Sequence, residues 1–121
     1  MKWQRLRAGL ADDRGSASLW LLGVALAVLL LAGTVAMAGG LLVARHRAQS
    51  AADLGALAGA LRAVEGPGVA CPASDRIVQA NGARMVACRV VGLDVVITVR
   101  VAGPAGWGTA EASARAGPQR A

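Results

Sequence analysis

The sequence predicts an α+β protein: a long N-terminal transmembrane helix that continues outside the membrane, with a small antiparallel β-sheet packed on its exposed part. Three observations predict it. No charged residue lies between Arg14 and Arg45. From Ala44 to Val64 the chain has no proline and is dominated by alanine and leucine, so the helix has no reason to stop where the charges resume. Beyond Glu65 the pattern changes to apolar residues in alternation, the period of half-buried strands.

The first element follows from length and charge. Ser16 to Ala44 is an uncharged stretch of 29 residues. As a helix it would extend for about 43 Å, against about 30 Å for a hydrocarbon core. A buried core helix is excluded as the alternative, because the 77 residues that follow could not sheathe so long an apolar rod. Lys2, Arg5, Arg7 and Arg14 precede the span, opposed by Asp12 and Asp13. Short basic flanks stay in the cytoplasm and long domains cross regardless of charge, so the C-terminal part is expected outside the cell membrane. Trp20 suits the interfacial aromatic belt at the cytoplasmic edge. The expected organisation is a basic tail or leader over 1–15, a span over 16–44, an exposed continuation of the helix over 45–64 and a small extracytoplasmic domain over 65–121. Ala36-Met37-Ala38 has the A-x-A form of a signal-peptidase site, which keeps a released protein, cut after Ala38, as an alternative.

Two patterns mark the helix. Ala51, Leu54, Ala58 and Leu61, with Leu57 beside them, form an apolar face in its exposed part. Ala32, Ala36, Gly40, Ala44, Ala48, Ala52, Ala56 and Ala60 form a ridge of small residues at every fourth position. Such ridges allow close helix–helix approach in membranes, although an alanine-rich composition produces some of this pattern by itself. Gly66-Pro67-Gly68 is expected to stop the helix.

The remaining elements are short. Ser74 to Asn81 reads as a helix with Ser74 as N-cap, Asp75 in the first turn and Gly82 at C′. Val86, Cys88 and Val90, then Val95, Ile97, Val99 and Val101, mark two strands joined at Gly92-Leu93-Asp94. Thr109 to Arg115 alternates more weakly and is expected as a third, edge strand. Cys71 and Cys88 are expected to form a disulfide between the linker before the short helix and the first strand, with two buried free thiols as the alternative. A bridge matters here, because the chain has 28 alanines, no Phe and no Tyr, and so little bulk for a core.

Composition also limits function. The chain carries 13 Lys+Arg, seven Asp+Glu and one His, a formal charge of +6. Four of the bases and two of the acids lie in the tail, leaving nine and five beyond the span. Arg76, Arg84, Arg89, Arg100, Arg115 and Arg120 are dispersed and have little aromatic interleaving, which argues against nucleic acid. His46, between Arg45 and Arg47, is a headgroup-level residue and lies far from both cysteines, so no metal site is expected. Asp53, Glu65, Asp75, Asp94 and Glu111 form no acid–base pair by sequence, and no serine belongs to a recognisable triad. Gly55-x-x-x-Gly59 is a helix-surface feature and no lysine completes a phosphate loop. No catalytic residue, cofactor or small-molecule substrate is expected.

Several segments together resemble a known family. Asp13-Arg14-Gly15-Ser16-Ala17-Ser18 leads into the span, and Ala44-Arg45-His46-Arg47-Ala48-Gln49-Ser50-Ala51-Ala52-Asp53-Leu54 leaves it. Ala70-Cys71-Pro72, Asn81-Gly82-Ala83, Cys88 and the Gly92-Leu93-Asp94-Val95-Val96 hairpin follow. Over about residues 12–116 the chain resembles the TadE-like proteins of high-GC Gram-positive bacteria, associated with Flp-type tight-adherence pili. The resemblance implies a pilin-like fold and the role of a minor pilin or pseudopilin. It implies as partners the membrane, the Flp-type pilin, the inner-membrane platform proteins and, indirectly, a secretion ATPase. It also implies processing by a prepilin peptidase between Gly15 and Ser16. The fifth residue after that bond, usually Glu in pilin-type substrates, is Trp20 here, so both a processed and an unprocessed chain stay open.

Overall fold

A computed structural model describes the backbone of residues 2–119 and the side chains of residues 15–119. The leader side chains before Gly15, and Arg120, lie outside the described residues. The chain contains helix α1 (Lys2–Ala60), helix α2 (Pro67–Ala80) and strands β1 (Arg84–Val91), β2 (Asp94–Ala102) and β3 (Thr109–Ala116). It divides into two compact units, Met1–Met37 and Ala38–Ala121.

In the first unit, every described side chain is exposed, including Leu21, Leu26 and Leu30. An 18-residue window in the Gly15–Ala60 part of α1 has a mean hydropathy of 2.5 and none of it is buried. Apolar residues on every side of an uncovered helix are what a lipid environment demands.

The second unit holds the rest of α1, α2 and the sheet. The strands form one antiparallel sheet in the order β1-β2-β3, so β2 is central and β3 is the edge strand expected from sequence. Val95, Ile97, Val99 and Val101 of β2 point into the core, and their branched side chains suit a pleated surface. Ala110, Ala112, Ala114 and Ala116 line the same face of β3. A two-residue turn, Gly92-Leu93, joins β1 to β2, with Gly92 at φ 64° as hairpin turns of the primed type require.

The alternation expected in β1 is broken once. Met85 pairs with Val99 and Ala87 with Thr98, so Val86 is the extra residue of a β-bulge. The bulge turns Met85 toward the core, while Val86 is 40% exposed.

Three local expectations are corrected. First, Gly66-Pro67-Gly68 does not end α1. The α-helix closes at Ala60, and a 3₁₀ turn over Ala63–Glu65 follows it. Gly66, at φ 88°, then caps α2, with Pro67 at the first helical position, where a missing N–H costs nothing. Secondly, Ser74 is not an N-cap: it lies inside α2 and is fully buried. Thirdly, Cys71 lies in α2 and not in a linker, so the bridge joins a helix to β1. The C-terminal end of α2 was readable. Gly82 is at φ 74°, its N–H donates to Gln79 O at 3.0 Å, and Ala83 N–H donates to Val78 O at 3.1 Å. These are the two bonds of a Schellman stop.

Candidate functional site

The sites expected from sequence separate into three places. Gly15 and Ser16 lie within the continuous helix α1, and both are exposed. Cys71 and Cys88 are joined by a disulfide with a Cα–Cα distance of 5.9 Å, within the usual range for bridged cysteines. The small-residue ridge is divided by burial. Ala32 and Ala36 are exposed and Gly40 is half-buried, whereas Ala44, Ala48, Ala52 and Ala56 are at most 5% exposed. Ala60 lies half-buried at the edge of the same core.

The buried part of the ridge faces the chain's own sheet and α2. Gly55 and Gly59 set the distance. A Cβ on Gly55 would come within 2.6 Å of Val78 Cγ2 and 2.7 Å of Ile97 Cδ1. A Cβ on Gly59 would meet Ser74 Oγ at 2.1 Å. Branched side chains of β2 and α2 thus fill the space that a smooth helix surface leaves free. The sequence signal was the ridge itself, which marks close approach without saying to what.

The apolar face expected from Ala51, Leu54, Leu57, Ala58 and Leu61 is split: Ala51 is fully buried and Ala58 half-buried, but the leucines are turned outward. Leu54, Leu57 and Leu61 are 47%, 56% and 78% exposed, and Val64 is 84% exposed. Leu57, Leu61, Val64 and Leu93 line one shallow groove with Arg115 and Pro118 at its edge. Close packing on a sheet selects small residues, and the leucines are left turned outward. A contiguous exposed apolar strip of this kind marks an interaction surface more often than not.

The outer face of the sheet is polar and paired. Arg100 donates to Glu111 at 3.0 Å, Thr98 and Ser113 hydroxyls meet at 2.9 Å, and Arg115 binds Asp94. Among the described residues no group of three His, Cys, Asp or Glu could hold a metal ion. The arrangement offers surfaces for binding: an uncovered apolar helix, a leucine strip beyond it and a braced sheet.

Residues 15–63 match the family described as "Putative Flp pilus-assembly TadE/G-like". A Mycobacterium tuberculosis protein named "Apoptosis inhibitor Rv3654c" is 51% identical over 55 residues, which is 46% of this chain and 66% of that relative. The chain therefore matches just under two thirds of the relative's length. No solved structure matches the chain. The matched segment, residues 15–63, contains the uncharged run, the small-residue ridge and the leucine strip up to Ala63, and over this segment the chain is similar to the TadE/G-like Flp pilus-assembly family.

Proposed function

We propose that this protein is a membrane-anchored minor pilin or pseudopilin that acts in assembly of a Flp-type tight-adherence pilus or a related secretion apparatus. The observation that carries the reading is the match of residues 15–63 to the pilus-assembly family on a helix that no part of its own unit covers before Ala38. In this reading α1 crosses the cell membrane once, with the N-terminus in the cytoplasm and the second unit outside. Ala32 and Ala36 offer the close-approach surface for other membrane helices, and Leu54, Leu57 and Leu61 offer an apolar strip to pilus or platform proteins. Gly15–Ser16 is the proposed processing bond.

The test is fractionation followed by co-purification. The full chain is expected in the membrane pellet after alkaline extraction and in complex with a Flp-type pilin or a platform protein. Recovery in the soluble fraction with no pilus component would overturn the reading. Intact mass separates full-length protein from chains cut after Gly15 or after Ala38.

A second reading, a released binding protein or effector, is favoured by one observation. The boundary between the two units falls at Met37–Ala38, beside the Ala36-Met37-Ala38 pattern, so a cut after Ala38 would leave the second unit almost whole. Protein in the culture filtrate beginning at Gly39 would establish this reading in place of the first.

A further inference from the structure

One loop of the second unit has no charge of its own. From Val101 to Ala110 the chain carries no ionisable residue, although Arg100 and Glu111 stand immediately on either side. This segment holds the ends of β2 and β3 and the loop between them, residues 103–108, which its own backbone holds closed. Gly103 N–H donates to Gly108 O at 2.9 Å and Trp107 N–H donates to Pro104 O at 3.0 Å. Trp107 projects from it 69% exposed. The loop packs on α1 at Gly40, where a Cβ would come within 2.7 Å of Pro104 Cγ. The helix is uncharged there too, and its first charges after that contact are Arg45 and Arg47.

We infer that this loop, with Trp107 at its tip, docks into the interfacial layer of the bilayer that α1 crosses, so that the domain rests on the outer membrane surface instead of standing away from it. The inference rests on the membrane-anchored reading above. Its occupant is the lipid headgroup layer, for three reasons. The apolar run from Leu19 to Gly40 already gives about 33 Å of helix, which fills a hydrocarbon core and places Gly40 at its edge. A tryptophan held at that level, with an apolar ring and an N–H donor, is the side chain that favours the interface. Arg45 and Arg47 lie one to two turns further along the helix, each in a groove with apolar neighbours. Arg45 lines one with Leu41, Leu42 and Thr109, and Arg47 another with Val43 and Pro104. Neither forms an ion pair among the described residues. Grooves with an apolar floor and a cation at the rim fit the glycerol–phosphate region of an anionic lipid. The outer end of the span then lies near Gly40, short of Ala44.

Two single-tryptophan forms of the full chain test this. Trp3→Phe with Trp20→Phe leaves Trp107, and Trp3→Phe with Trp107→Phe leaves Trp20. Each is reconstituted into phosphatidylcholine–phosphatidylglycerol vesicles with acyl chains brominated near the headgroup. Docking predicts that Trp107 emission is blue-shifted and loses intensity to the brominated lipid, as Trp20 emission does. Arg45→Gln with Arg47→Gln should reduce the Trp107 quenching and leave that of Trp20 unchanged. If Trp20 is quenched while Trp107 emits as in water, docking is overturned and anchoring stands. If neither is quenched, anchoring itself is overturned and docking falls with it.

Discussion

Gly59 and Ser74 show how little room the core leaves. The Ser74 hydroxyl is fully buried without a hydrogen-bond partner and occupies the space where a Cβ on Gly59 would be. An unpaired buried hydroxyl costs about 1–3 kcal/mol, so Ser74→Ala should raise stability by about 1 kcal/mol. Gly59→Ala overpacks the same contact and should destabilise by about 1–3 kcal/mol, partly offset by the gain in helix propensity. With both changes the nearest clash is removed, while Val95 Cγ1 at 3.0 Å still crowds the new Cβ, so part of the loss from Gly59→Ala should be recovered. Thermal unfolding of the four proteins in detergent measures this cycle, and strict additivity would show that the two residues do not share the space. On the outer sheet face the contrast is plain. Glu111 and Arg100 are about half exposed in their ion pair, so Glu111→Ala should change stability by less than about 1 kcal/mol in a chemical-denaturation experiment.

At the scale of elements, the helix face and the bridge decide most. α1 packs by its alanines and glycines, so bulky residues at Ala44 or Ala48 would break the protein's own core. They are poor probes of partner binding. The exposed leucines are better ones. Leu57→Glu with Leu61→Glu should leave the melting temperature within about 3 °C of the parent. The same pair should reduce co-purification with pilus components, and undiminished recovery would remove the leucine strip from the proposed function. The disulfide ties α2 to β1 across a sequence separation of 17 residues. In the chain-entropy model a loop of that size contributes about 3 kcal/mol. Replacing both Cys71 and Cys88 by alanine should therefore lower the melting temperature by about 10 °C or more. An unchanged melting temperature would show that helix–sheet packing alone holds α2.

For the whole molecule, the division at Met37–Ala38 predicts independence of folding. Among the described residues, the buried hydrophobic core lies between Ala44 and Ala110, with Ala112, Ala114 and Ala116 packed against it. A chain starting at Gly39 should keep the Cys71–Cys88 bond and the mixed helix–sheet circular dichroism of the second unit. Loss of cooperative unfolding in that fragment would show that the preceding helix contributes to stability. The described apolar side chains of the first unit, from Leu19 to Met37, are exposed, a surface of the kind that marks interaction sites.

The sequence alone determined the class of the protein. Thirty uncharged residues between Arg14 and Arg45 specify a helix long and apolar enough to cross a membrane, because charge in hydrocarbon is costly wherever the fold places it. The β2 alternation specified a one-sided strand, and Gly82 specified the end of α2, because period and positive φ are local properties. Other features depended on which surfaces meet. Alternation in β1 could not reveal the bulge at Val86, since a bulge is defined by the partner strand. A small-residue ridge at every fourth position states that something approaches closely. Only the tertiary structure decided that Ala44, Ala48, Ala52 and Ala56 meet the chain's own sheet and that the leucines face outward. The physical reason is that hydrophobicity favours leucine for burial, while geometry next to a branched, valine-rich strand admits only alanine and glycine, and here geometry prevails.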